Sequence, residues 1–359
     1  MVRPTYAEID LGSVASNVRS IGDLISPSML CAVVKADAYG HGDVPVAITA
    51  LESGASWLAV ALVEEGIRLR EAGIDAPILL LSEPVPGGAV DVARWALTPT
   101  AYSLAFIDEL TSTGARLDVH LKIDTGMHRV GATPRLGHDL VSAVAAAPNL
   151  QVGALWTHFA VADEDTDFTR RQMDLFDETI ANMSPPMVHM ANTAGAILFP
   201  ESRRDMCRIG LGLYGLHPTP ETDRTVKLSP AMRLVSHVSH VQRLEAGARP
   251  SYGRARQLHV EATVVTVPVG YADGFSRRLS REGCVLINGS RFPLAGMVTM
   301  DQIVVDVGDE TVGVGDEVVL LGTQGEESIS ADEWAHRLDT ISYEVVCSIG
   351  PRIPRRHLR

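Results

Sequence analysis

The chain has 359 residues, enough for one large domain with a sizeable core and a smaller second one. Apolar residues make up 46% and charged residues 21%, which excludes disordered and collagen-like chains. The 31 basic residues against 44 acidic ones leave a net charge of -13, and no Lys/Arg-rich run offers a track for a phosphate backbone, so no nucleic-acid partner is expected. The four cysteines, Cys31, Cys207, Cys284 and Cys347, form no Cys-x-x-Cys pair and read as reduced core residues. Residues 1–10 lack the apolar core of a signal peptide, and nothing later approaches the roughly 18 apolar residues that span a bilayer. A cytoplasmic protein with no membrane contact is expected.

In chain order the first two-thirds alternate short apolar runs with helical stretches. A helix pattern over Leu11, Val14, Val18 and Ile21 follows a cap candidate, Asp10. Candidate strands are Leu30 to Ala38, Trp57 to Val63, Pro77 to Ser82, Arg94 to Thr98, Asp118 to Asp124, Val152 to Phe159, Met187 to Asn192 and Asp205 to Leu211. Helical segments such as Glu64 to Gly73, Arg135 to Ala147 and Asp165 to Asn182 lie between them. The rhythm predicts an α/β domain over residues 1–228, with eight parallel strands closing a TIM-type (β/α)8 barrel. A doubly wound open sheet has a similar rhythm, and periodicity alone does not separate the two. Residues 229–359 read differently. Asn288-Gly289 falls between apolar runs, Gly308-Asp309 and Gly315-Asp316 bracket valine-rich segments, and Ser330 with Glu333 has capping-box spacing, so a mainly β second domain with one helix is expected.

The first long apolar strand runs into Val-Val-Lys35-Ala-Asp-Ala-Tyr39-Gly-His-Gly. A lysine at a buried strand end loses hydration, its pKa falls, and the neutral amine becomes a nucleophile towards an aldehyde. A strand-end lysine that merely reaches solvent fits the same text. The run Gly210-Leu-Gly212-Leu-Tyr-Gly215 fits G-x-G-x-x-G, but a dinucleotide fingerprint must open a helix, and here Pro218 and Pro220 follow. His237 and His240 could be called a metal pair, yet no third ligand is evident and no metal is expected.

The Lys35 segment resembles the cofactor-binding signature of the alanine racemase family. The resemblance continues in order through Lys-Ile-Asp-Thr-Gly-Met-His-Arg129, Thr-His158-Phe-Ala, Ala-Asn-Thr193-Ala, Arg208-Ile-Gly210-Leu-Gly-Leu-Tyr-Gly, Ser-Tyr252-Gly, Gly-Tyr271-Ala-Asp-Gly, Met300-Asp301-Gln and Tyr343-Glu. It implies pyridoxal 5'-phosphate as cofactor, a homodimer with shared active sites, and interconversion of L-alanine and D-alanine that supplies D-alanine for peptidoglycan. A racemase of serine or of a broader amino-acid range on the same scaffold is the alternative. By the resemblance Lys35 carries the cofactor as a Schiff base, and Tyr39, Thr193, Arg208, Gly210, Leu211, Tyr343 and Arg129 complete its site. Arg129, Met300, Tyr271 and Asp301 line the substrate's place, and Lys122 is a candidate for carbamylation.

The chemistry of these residues agrees with the resemblance. Racemisation takes a proton from one face of the α-carbon and returns one to the other, so it needs two acid/base groups on opposite faces. Lys35 and Tyr252 are the pair that the resemblance implies, with His158 and Arg208 stabilising the phenolate. A phenol has an ordinary pKa near 10, so Tyr252 needs such help to act as a base at neutral pH. Arg208 is placed by the resemblance at the ring nitrogen, and an arginine, which cannot give up its proton, should leave that nitrogen largely unprotonated.

Overall fold

The computed structural model describes residues 3–359, which divide into two compact units: residues 13–38 with 42–229, and residues 3–12, 39–41 and 230–359. The first strand, β1 (Tyr6–Asp10), has no counterpart in the expectations above. It pairs antiparallel with β10 (Met232–His237) and parallel with β18 (Arg355–Leu358), so the chain's first residues belong with its last. Five residues whose partners lie more than two hundred positions away carry little local signal. Asp10 caps helix α1 (Leu11–Ile25), its Oδ1 accepting the Gly12 amide at 2.8 Å.

In the first unit the parallel strands are β2 (Met29–Val33), β3 (Trp57–Val60), β4 (Ile78–Leu80), β5 (Thr100–Ala101), β6 (Leu117–Lys122), β7 (Leu150–Trp156), β8 (Val188–His189) and β9 (Met206–Ile209). They form two four-stranded sheets in the orders β4-β3-β2-β9 and β5-β6-β7-β8. A parallel bridge from Leu79 to Thr98 joins the sheets on one side. On the other, the Asp205 amide donates to Val188 O at 3.1 Å and the Arg208 amide to Ala191 O at 3.0 Å. Eight strands therefore close a barrel rather than an open sheet, and their residues are buried on both faces, as parallel strands under helices must be.

The covering helices include α2 (Lys35–Gly40), α3 (Asp43–Glu52), α4 (Val63–Glu71), α5 (Ala89–Arg94), α6 (Leu104–Ser112), α7 (Pro134–Ala146), α8 (Thr166–Ile180), α9 (Thr193–Leu198) and α10 (Pro220–Thr225). Two expectations need correction. The run Arg94 to Thr98 is not a strand: Arg94 ends α5, Ala96 turns through a φ of 49°, and pairing resumes only at Thr98. The strand expected to reach Ala38 stops at Val33, because the residues after Lys35 adopt left-handed backbone. The Gly-x-Gly-x-x-Gly run opens a single 3-10 turn, Leu211–Tyr214, closed by Gly215 at φ 76°.

The second unit has a seven-stranded sheet in the order β14-β13-β16-β10-β1-β18, with β17 added to β16, and a three-stranded sheet β11-β12-β15. The strands not yet located are β11 (His240–Leu244), β12 (Ala262–Val267), β13 (Cys284–Ile287), β14 (Ser290–Pro293), β15 (Ile303–Gly308), β16 (Glu317–Gln324) and β17 (Glu327–Ile329). Asn288 and Gly289 turn between β13 and β14 with φ of 51° and 76°, the left-handed pair of a type I′ hairpin. Helix α11 (Ala331–Leu338) starts where the capping pattern placed it, the Ser330 Oγ accepting the Glu333 amide at 3.0 Å; α12 (Ser342–Cys347) follows.

Candidate active site

Lys35 stands at the end of β2, the first barrel strand, where the barrel fold concentrates chemistry. The chain then turns left-handed through four non-glycine residues, Ala36, Asp37, Ala38 and Tyr39, with φ of 53°, 54°, 52° and 54°. Each such residue costs about 1–2 kcal/mol. Several bonds hold the turn. The Ala38 amide donates to Val34 O and the Gly42 amide to Asp37 O, both at 2.9 Å. The Asp43 amide donates to Asp37 Oδ1 at 3.0 Å, and the Ala36 amide to Glu65 Oε1 at 2.6 Å.

Around that strand end the barrel gathers cations. Lys122, at the end of β6, is only 3% exposed; its Nζ lies 4.3 Å from the centre of the Trp156 ring and takes no hydrogen-bond acceptor among the described residues. Burial first, then the fields of Arg208 and Arg129, pulls its pKa down to about 7; Asp124 acts in the opposite sense, and Lys35 lowers it further. Arg208, on β9 and 3% exposed, also covers Trp156, with its Cζ 4.5 Å from the ring centre. Burial brings Arg208 to about 10, which leaves it charged at neutral pH.

The Arg208 guanidinium determines its neighbours' protons. One terminal nitrogen donates to His189 Nδ1 at 2.8 Å; the other reaches Thr157 O at 2.9 Å, Met190 O at 3.0 Å and His158 Nδ1 at 3.1 Å. An arginine only donates, so both imidazoles accept at Nδ1 and carry their proton on Nε2. His189 then donates from Nε2 to His120 Nδ1 at 3.1 Å. Burial, then the Arg208 charge, pushes His158 and His189 well below the ordinary histidine range and His120 to about 3, so all three are neutral at pH 7. The expected pair His158 and Arg208 is thus in direct contact.

The loop after β7, which carries His158, is fixed by Gln172 on α8: its Nε2 donates to His158 O at 3.2 Å and its Oε1 accepts the Ala160 amide at 2.9 Å. Thr193 joins the exits of β8 and β9. Its Oγ1 accepts the Gly210 amide at 3.1 Å and the Gly212 amide at 3.5 Å, and Leu211 heads the turn between them, 1% exposed. Arg129 is exposed beyond β6. Beside it Asp124 holds the loop by accepting the Gly126 and His128 amides at 3.0 and 3.1 Å.

The other expected residues lie in the second unit. Tyr39 and Tyr343 have ring centres 6.1 Å apart, and burial raises the Tyr39 phenol well above its ordinary value. Tyr252 sits on a tight turn flanked by Ser251 at φ 66° and Gly253 at φ 70°, and is 73% exposed. Tyr271 and Met300 are brought together because Gly270 has no side chain: a Cβ there would lie 2.3 Å from Thr299 O and 2.4 Å from Met300 O. Asp301 accepts from Arg352 at 2.8 Å.

A barrel whose first strand ends in a lysine, ringed by buried cations with scant carboxylate compensation, defines an enzyme that binds an anionic ligand and offers it an amine. The sequence comparisons say which enzyme group this is. The family described as "Alanine racemase, N-terminal domain" matches residues 9–218, and "Alanine racemase, C-terminal domain" matches residues 231–357. The chain is similar to the alanine racemase of Symbiobacterium thermophilum, 45% identical over 369 residues that cover 99% of this chain and 97% of the relative. It is also similar to the crystal structure of alanine racemase from E. faecalis, at TM-score 0.94 and 37% identity over 99% of this chain and 98% of that one. The alanine racemase of Bacillus anthracis with bound L-Ala-P superposes at TM-score 0.93 and 37% identity over 100% of this chain and 96% of that one. The chain belongs to the alanine racemase family.

The family uses pyridoxal phosphate, and the residues present fit it. Arg208 is a buried cation with no carboxylate partner among the described residues, a charge that an anionic ligand balances, and the buried Lys122 amine lies in its field. The Arg208 guanidinium satisfies protein acceptors through its terminal nitrogens, while its Nε–H takes none among the described residues and is available to a ring nitrogen.

Proposed function

We propose that this enzyme interconverts L-alanine and D-alanine with Lys35 and Tyr252 as the two proton-transfer groups, supplying D-alanine for peptidoglycan. The observation that carries the site assignment is Lys35 at the end of β2 within the field of Lys122, and Lys122 within that of Arg208 and Arg129. Pyridoxal phosphate, when bound, supplies an electron-withdrawing ring that acidifies the α-hydrogen of the amino acid attached to it.

The protein's residues do the rest. Lys35 holds the cofactor through Nζ; Thr193, Gly210 and Leu211, with Tyr39 and Tyr343, hold its phosphate; Arg208 donates to its ring. Arg129 binds the substrate carboxylate. Lys35 takes or returns the proton at Nζ on one face, and Tyr252 does so at its phenolic oxygen on the other. His158, locked by Arg208 with its proton on Nε2, can only donate from that nitrogen, which suits it to steady a phenolate and not to remove a proton. Sodium borohydride should fix pyridoxal phosphate to Lys35 and to no other lysine; label on another peptide would overturn the assignment.

Tyr252, Tyr271 and Met300 are 73%, 43% and 52% exposed in the single chain, unusual for an apolar-faced set assigned to chemistry. That exposure supports the reading of a homodimer in which a second copy covers them and shares the site. Turnover per chain should then collapse on dilution to a demonstrable monomer, measured by light scattering beside activity; a fully active monomer would contradict it. No helix among the described residues is long and apolar enough to cross a membrane.

Lys122 is proposed to carry a carbamate. With its pKa near 7 the amine is largely neutral above that pH and protonated below it, and only the neutral amine adds carbon dioxide. In 13C-bicarbonate a carbamate carbon resonance should appear, absent from Lys122→Ala, and should weaken as the pH is lowered through about 7. Identical spectra from the two proteins would rule the modification out.

A further inference from the structure

Glu65, a residue that no part of the proposed reaction uses, carries a buried carboxylate next to the residue that follows Lys35. It is 8% exposed, and its oxygens face main-chain amides. Oε1 accepts the Ala36 amide at 2.6 Å, and Oε2 accepts the amides of Ala61 at 2.8 Å and Leu62 at 3.1 Å. Arg68 on the same helix is bonded to Asp43, and Arg70 to main-chain carbonyls. A carboxylate buried this deeply is tolerated when several donors satisfy it, and the three amides do so.

The placement has a consequence for Lys35. Ala36 is the first of the four left-handed residues, and its amide belongs to the same peptide plane as the Lys35 carbonyl. Anchoring that plane to Glu65 holds the Lys35 carbonyl carbon, and with the strand fixed on its N-terminal side the N–Cα–C frame that sets the Cα–Cβ direction of Lys35 is held from both sides. The Leu62 amide on the same carboxylate is the start of α4, so the strand-end lysine is referenced to the neighbouring β–α unit.

We propose that Glu65 is a positioning residue for Lys35: by clamping the Ala36 amide in the left-handed turn it aims the amine that holds the cofactor and moves one of the two protons. The proposal rests on the reading of Lys35 as the attachment point, and the two are tested separately.

Borohydride labelling of the wild-type holoenzyme tests the attachment; label away from Lys35 sinks that reading whatever Glu65 does. The clamp is tested with Glu65→Gln. Its amide has one acceptor oxygen, so either Ala36 or the α4 start faces an NH2 group and loses its bond. The expected result is a fall in kcat of about 10- to 100-fold with the KM for alanine within about 3-fold, and a smaller fraction of bound cofactor that borohydride fixes to Lys35.

The double variant Ala36→Gly with Glu65→Gln separates aim from capping. Glycine adopts the left-handed conformation without strain, so the turn needs less clamping and kcat and the fixable fraction should recover at least in part. A Glu65→Gln enzyme with unchanged kcat and fixable fraction overturns the proposal. So does a loss that Ala36→Gly fails to relieve, because it would mean that Glu65 acts only by starting α4. If Glu65→Gln cannot be obtained folded, Glu65→Asp, which is one methylene too short to reach both sets of amides, must show the same kcat loss and the same glycine rescue; failure of either is the overturning result.

Discussion

Lys35→Ala is expected to lower kcat/KM for alanine racemisation by at least about 10⁴-fold. The variant removes the cofactor's covalent tether and one of the two proton carriers together, and no other described lysine is placed to substitute. Lys122 is the nearest alternative in kind, an amine with a pKa near 7, but it is 3% exposed and packed on the Trp156 ring, on the sixth strand and not the first. Binding should survive better than catalysis, because Arg208, Thr193 and the Gly210 turn are untouched. A coupled assay of D-alanine formation, with cofactor content measured in parallel, checks both halves. Residual activity above about one per cent would move the tether elsewhere.

Tyr252→Phe should cut racemisation by about 10²–10⁴-fold while leaving the other face of the substrate reactive. The variant keeps the ring and loses only the hydroxyl, so the fold and the exposed surface change little. In deuterated water it should exchange the α-hydrogen of one enantiomer and return that same enantiomer, since Lys35 alone can take a proton from its face and give one back. Exchange lost equally for both enantiomers would mean that Tyr252 serves binding and not proton transfer. His158 enters here, because its Nε2–H is the one polar hydrogen that the Arg208 network leaves to it.

The alternation of parallel strands and helices was readable in the sequence because a buried parallel strand is apolar on both faces and the intervening helices are amphipathic, whereas closure into a barrel rests on the bridges between the two sheets, which periodicity does not report. Seven of the eight expected barrel runs overlap a strand, and the exception, Arg94 to Thr98, failed because its apolar Trp95, Ala96 and Leu97 turn out of a helix. The β1 strand was missed since its pairing is with residues 232–237 and 355–358, which no local pattern reports. Lys35, Lys122, His158 and Arg208 were legible through family resemblance and stand near one another in the first unit. Gln172 and Glu65 were not. Gln172 lies in an otherwise ordinary amphipathic helix, and Glu65 reads as one more acid in the first turn of α4, where helix starts favour negative charge anyway. His189 sits in a strand as a satisfied histidine, which gives no local sign of the chain that joins it to Arg208 and His120.

Two different groups work on opposite faces of one carbon, and the fate of the hydrogen in a single turnover tests this most directly. L-alanine incubated with the wild-type holoenzyme in deuterated water should give D-alanine carrying deuterium at the α-carbon from the first turnover, read by NMR and mass spectrometry. D-alanine that keeps the original hydrogen would mean that one group carries the proton from face to face, and the pairing of Lys35 with Tyr252 would be wrong.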